Sequence, residues 1–136
     1  MKKLYAITLL GFLGFCTPER VQDKQENLIV QAMVNGQWKV TNYNKGSADV
    51  TNDFSPYKFQ FKENLTVDAI NNGSVEQSGS WNADPNSQSI TSNFNNSTNP
   101  VILLNGTWLI TSTTWTSVNA NQTVNGELRT LRLDKL

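Results

Sequence analysis

A chain of 136 residues is one domain's worth, and its 11 basic residues balance 11 acidic ones, so no charge excess steers it towards nucleic acid or an anionic surface. It contains no His, the commonest general base and a common metal ligand, and one Cys, Cys16, which excludes an intramolecular disulfide. Asn, Ser, Thr and Gly dominate the polar positions and long Ala/Glu/Leu/Lys stretches are missing, as expected of a turn-rich all-β chain.

Met1, Lys2 and Lys3 open the chain and are followed by an uncharged apolar run, Leu4 to Phe15. A basic start and a short apolar run are the outline of a bacterial export signal. The run of about twelve residues is short for a membrane-crossing helix, which needs roughly 20. It ends at Cys16, and "LGFC" resembles the lipobox of bacterial lipoproteins, with Leu13 at minus three and Gly14 at minus two. Phe15 departs from the small residue usual there. The resemblance implies that residues 1–15 are a signal peptide, that the Cys16 thiol takes a diacylglycerol, and that Cys16 becomes the lipidated first residue. The protein is then expected in the cell envelope of a bacterium, held by that lipid, the outer membrane ahead of the inner. The competing reading is a plain secretory signal with an incidental Cys, but a free exported thiol is a liability. Loss of Lys2 and Lys3 with the signal leaves nine basic against 11 acidic residues, a net charge of minus two. Residues 16–34 read as a tether with a lead-in: Thr17 to Asn27 is polar and Pro-bearing, and Asp23 to Val34 is expected as a short helix or an irregular segment.

From Gly36 onward the dominant period is two. "GQWKVTNYNK" sets Trp38 and Val40 against Lys39 and Thr41, and "YKFQFK" sets Tyr57, Phe59 and Phe61 against Lys58, Gln60 and Lys62. Each is a strand with one dry face and one wet face. Further strands are predicted at Thr66–Asn71, Val75–Trp81, Gln88–Phe94, Thr107–Ser112, Thr114–Asn119 and Glu127–Asp134. Turn chemistry separates them at Asn71–Ser74, Ala83–Ser87 and Asn119–Gly126. Ser97 to Gly106 does not alternate, and Pro100 argues against a central strand, so this segment is expected as a loop or short helix plugging an end of the sheet. About eight short antiparallel strands joined by short turns form a meander that closes most simply into an up-and-down barrel over residues 35–136.

Three of the four Trp follow a Gly at minus two: Gly36/Trp38, Gly79/Trp81 and Gly106/Trp108. Gly before a strand permits a sharp turn and close backbone approach, and the indole two residues on is a wide apolar plug. "NGQWKV" is similar to the first-strand Gly-x-Trp of the lipocalin and calycin superfamily. The order of the later segments resembles the lipocalin-like domains of small bacterial lipoproteins: Phe59 with Phe61, Asn72 with Gly73, Trp81, "LNGTW" at Leu104–Trp108, and "LRTLRLDK" at Leu128–Lys135. The resemblance implies that Trp38 closes one end of the barrel beneath a basic residue, a cation–π contact worth about 1 kcal/mol. Arg129 is the candidate because it shares a face with Leu131 and Leu133. Arg132 replaces it if a bulge shifts the register, and an Arg exposed on the outer wall is equally open.

The carboxylates are scattered, so neither a metal cluster nor a cofactor site is expected. Asp49 and Asp53 lack the spacing of a calcium loop and read as turn residues. No nucleophile–base set or phosphate loop appears. Glu63 and Asp68 could meet across a hairpin, but nothing marks them beyond a solvated face, so the chain is not expected to be an enzyme. Two functions remain. One is a barrel that holds a small apolar ligand, lined by Trp38, Tyr57, Phe59, Phe61, Trp81, Phe94 and Trp108. The other is a structural, interaction or inhibitor module of the envelope, working on a protein partner through its loops or outer wall. Eight strands enclose room for side chains or one small ligand, and seven rings would fill most of it.

Overall fold

The computed structural model describes residues 28–136 apart from residue 96. The expected signal peptide over 1–15, Cys16 and the tether to residue 27 lie outside the described residues. Residues 28–34 form a short helix, α1, as expected of the lead-in's end. Nine strands follow: β1 (Trp38–Lys45), β2 (Ala48–Asp49), β3 (Tyr57–Phe61), β4 (Thr66–Asn71), β5 (Ser74–Asp84), β6 (Ser89–Phe94), β7 (Gly106–Thr113), β8 (Ser117–Val124) and β9 (Glu127–Lys135). Short 3-10 helices occupy Thr51–Phe54 and Val101–Leu104.

Every pairing is antiparallel, and β9 returns to pair with β1 along Arg129↔Lys45 to Lys135↔Trp38. The two-residue β2 only extends the edge of β1. The result is the expected closed, up-and-down, eight-stranded barrel, which leaves no long edge open to pairing with another chain. Two hairpins close through Asn-Gly pairs with both residues left-handed: Asn72 and Gly73 (φ 51° and 87°), then Asn125 and Gly126 (φ 52° and 81°). These are the mirror-image turns whose twist matches that of the flanking strands.

One strand lies elsewhere than expected. β8 runs Ser117–Val124, not Thr114–Asn119, and most of the predicted 119–126 loop is strand. Its Asn and Gln made it read as a turn, yet Val118 and Ala120 are buried, and β9 pairs with it from Glu127↔Val124 to Asp134↔Ser117. The break falls earlier. The Thr114 hydroxyl accepts the main-chain N–H of Thr116 and of Ser117 (3.2 and 3.1 Å), and Thr114 N–H donates to the Ser117 carbonyl (2.9 Å). Local side-chain bonds of this kind compete with the ladder. The strand β5 is also longer than predicted, reaching Asp84.

A bulge in β1 decides part of the core. Val40 pairs with Leu133 and Asn42 with Arg132, so Thr41 is the extra residue. The bulge restarts the alternation one residue late and turns Tyr43 inward, where it is fully buried. Tyr43 stacks on Phe54 with centroids 5.4 Å apart and meets Trp108 edge-on at 5.7 Å. Phe54 continues to Phe59, which meets Tyr57 and Phe94. One end of the barrel is thus covered by Phe54 and by Val101 and Leu104 of the second 3-10 helix, all buried. That helix is the plug expected of residues 97–106. Met33 of α1, also buried, covers the other end.

Candidate functional site

The three Gly-x-Trp indoles share one job. Trp38 Nε1 donates to the Met33 carbonyl (2.9 Å), Trp81 Nε1 to the Lys62 carbonyl (3.0 Å) and Trp108 Nε1 to the Leu104 carbonyl (3.0 Å). Each ring is buried and satisfies a main-chain oxygen of a non-strand segment, at the end of α1, in the β3–β4 turn and in the second 3-10 helix. They are staples that tie coverings to the barrel, because an indole N–H buried with its ring needs an acceptor.

Their glycines serve different ends. Gly36 is left-handed (φ 95°), and the methylenes of Lys135 lie 3.4 Å from where its Cβ would be. The side chain of Lys135 arches over that gap to place Nζ 5.0 Å from the Trp38 ring centroid. Gly79 is extended, but a Cβ there would lie 2.3 Å from the Asn93 carbonyl oxygen. It lets β5 and β6 approach without a side chain between them.

The cation over Trp38 is therefore Lys135, not Arg129 or Arg132. Arg129 does share the inward face with Leu131 and Leu133, as its spacing indicates. It pairs with Lys45, at the other end of β1 from Trp38. There its Nε donates to Glu127 Oε1 (3.0 Å), which also pairs with Lys45 Nζ at 3.6 Å. Arg132 points outward to Asp134. The chain held a usable signal: antiparallel closure sets the start of the first strand against the end of the last, which singles out Lys135.

Asp68 is buried on the outer side of β4 and pairs with Lys62, not with Glu63: Lys62 Nζ lies 2.8 Å from Oδ2, and Ser78 Oγ donates to Oδ1 at 2.7 Å. The Lys62 hydrogen bond, ahead of that from Ser78, holds its pKa below the usual value against the opposing effect of burial. A depressed folded pKa means that the contribution is present above the unfolded pKa, about 3.9, and is lost as pH falls through the folded value. Asp68→Asn should accordingly flatten the acid limb of stability against pH. Urea midpoints at neutral pH and below the carboxylate range check this; an unchanged limb would remove Asp68 from the account. Asp49 and Asn64 close matching turns, each accepting from the main chain and hydroxyl of a Thr two residues on. No group of three His, Cys, Asp or Glu side chains converges among the described residues.

The seven predicted ring residues, Trp38, Tyr57, Phe59, Phe61, Trp81, Phe94 and Trp108, are all buried, joined by Tyr43 and Phe54, which the pattern did not reveal. The space they leave inside the barrel is a cavity of ≈ 40 Å³, against roughly 300–1,000 Å³ for a ligand site. Ser92 is its polar lining residue, and its hydroxyl already donates to the Leu104 carbonyl. A larger apolar space lies outside the barrel, between α1 and the rim. It measures ≈ 410 Å³, and its walls include Leu28, Ile29, Met33, Ile110, Trp115 and Val118.

No family model and no curated protein matches the chain. Among solved structures, the fold is similar to that of a DUF4847 family protein from Bacteroides vulgatus ATCC 8482, with a TM-score of 0.57 and 16% identity over 78% of this chain and 96% of that one. At that identity the likeness is one of fold.

Proposed function

We propose that the protein is an exported, Cys16-anchored envelope lipoprotein of lipocalin-like kind, kin to the calycins, and that its barrel is a filled scaffold for interaction and not a container. The observation that carries the second part is the interior cavity of ≈ 40 Å³ beneath two covered ends. A drug-sized ligand would have to displace Phe54 or Met33, each buried and packed, to enter. The anchoring rests on the sequence: a basic start, an apolar run of limited length, and the chain's single Cys at the end of "LGFC". The same reading makes the protein no enzyme. Asp68, the buried carboxylate of the pair considered for acid–base work, is committed to Lys62 and Ser78.

Native mass spectrometry of the protein purified from its own cells tests both parts. The expected species carries a lipid-sized mass on Cys16 and no stoichiometric small molecule apart from membrane lipid. A retained non-lipid apolar compound would restore the container. Cys16→Ala should move the protein from the detergent phase to the aqueous phase of a detergent extraction. Wild-type protein found in the aqueous phase would end the anchoring reading.

A further inference from the structure

The end of the barrel covered by α1 carries apolar surface that the fold does not use. β1 runs away from this end, so β3, β5, β7 and β9 return to it, and the turns at 62–65, 85–88 and 114–116 open there with the C-terminus. Three large apolar side chains are exposed at it. Trp115 is 53% exposed, Leu28 48% and Leu136 62%. Leu28 and Trp115 flank the ≈ 410 Å³ apolar groove. Lys135 N–H donates to the Thr116 carbonyl and Leu136 N–H to the Gln37 carbonyl, both at 2.9 Å, which holds the last residue beside the Trp115 turn and the start of β1. Leu65 is exposed in another turn of the same end. The opposite end also exposes Val75, Ile102 and Leu128, but it has no exposed Trp.

The occupants that an apolar groove can take differ in chemistry, and the N-terminal chain chooses between them. Leu28 lies on the rim of this groove, and only the eleven residues Thr17 to Asn27 separate it from Cys16. Even fully extended, that stretch reaches about 40 Å, so an anchored barrel is kept at the bilayer surface at high effective concentration. A half-exposed Trp beside aliphatic side chains is the composition of a membrane–water boundary. The two acyl chains of a diacylglycerol hold the chain at the bilayer, so the apolar surface of the barrel decides which end meets it.

We infer that the α1 end is a lipid-contacting face: Trp115, Leu28 and Leu136 rest at the acyl-chain boundary and the groove accepts part of a membrane acyl chain. The barrel stands on this end, and the end bearing Phe54 and the Val101–Leu104 helix faces away from the membrane. The inference rests on the anchoring reading for what brings the barrel to the membrane, and on the exposed groove for which end meets it.

Trp115 is the reporter, since the other three Trp are buried. The full chain is coupled through its single Cys to maleimide-headgroup lipid in phosphatidylcholine vesicles, with or without bromine on the acyl chains. This imposes the tether whether or not cells lipidate Cys16, and the mass of the native protein tests that point separately. The expected result is loss of Trp115 emission in brominated vesicles together with loss of its quenching by iodide; Trp115→Phe supplies the background of the buried rings. A chain combining Trp115→Phe with Ile102→Trp reports from the opposite end and should keep its emission and its iodide quenching. Val75→Trp replaces Ile102→Trp if that variant does not fold. Equal bromine quenching at the two ends, or none at Trp115, overturns the inference. So does protection of Trp115 from iodide without bromine quenching, the result expected if a small molecule or a protein fills the groove instead.

Discussion

Trp38→Ala should destabilise the protein by about 3–5 kcal/mol, the range for deleting a large core aromatic. The ring is fully buried at the junction of α1, β1 and the end of β9. Its loss opens a void, strands the Met33 carbonyl that the indole N–H satisfies, and removes the face over which Lys135 Nζ sits. A domain holding about 5–15 kcal/mol in total would be close to unfolding, and α1 would be first to detach because that bond ties it to the barrel. Trp38→Phe keeps most of the apolar area and loses the donor, so its cost should be smaller but measurable, about 1–3 kcal/mol for the unsatisfied carbonyl. Urea unfolding followed by far-ultraviolet dichroism gives both values. An alanine variant with a wild-type midpoint would mean that the ring is not a plug.

Gly79→Ala should reverse the usual sign of its kind. Replacing Gly by Ala at a conformation Ala can adopt generally stabilises by about 0.4–1 kcal/mol, through the unfolded state. Gly79 is not left-handed, so its backbone raises no objection. The new methyl would nevertheless lie 2.3 Å from the Asn93 oxygen and 2.9 Å from its carbonyl carbon. These are main-chain atoms of β6, where Gly79 pairs with Phe94, so relief requires the two strands to part. Overpacking of this sort costs about 1–3 kcal/mol, more where the neighbour cannot yield. Ser80→Ala, one residue on and exposed, should stay within about 0.5 kcal/mol of wild type. Equal midpoints for the two variants would show that the strands separate without cost.

Legibility followed the range of the interaction. "YKFQFK" read correctly because alternation is a local property of one strand, and β3 keeps Tyr57, Phe59 and Phe61 buried. The Asn-Gly turns are local too. β8 is not legible in its true place because its stability comes from two neighbours, which impose strand geometry on "NANQT" despite its polar composition. Tyr43 is not legible as a core ring because the bulge at Thr41 is a relation between two strands and leaves no mark in either. Thr41 Oγ1 hydrogen-bonds the Asp134 carboxylate across that pairing. The groove beside Trp115 could not be read at all, since it exists only where α1 lies against the rim.

The all-β class, the meander order, the barrel's aromatic filling and the importance of three Gly-x-Trp pairs were legible in the chain alone. These depend on period, turn residues and side-chain volume, which each segment carries alone. Three pairings needed the folded barrel: Lys135 over Trp38, Arg129 at the other end, and Asp68 with Lys62. So did the place of the sizeable apolar space, outside the barrel. Each of those is set by register and closure: sliding one strand by a residue reverses its faces, and only the pairing of β9 with β1 fixes which charge meets which ring.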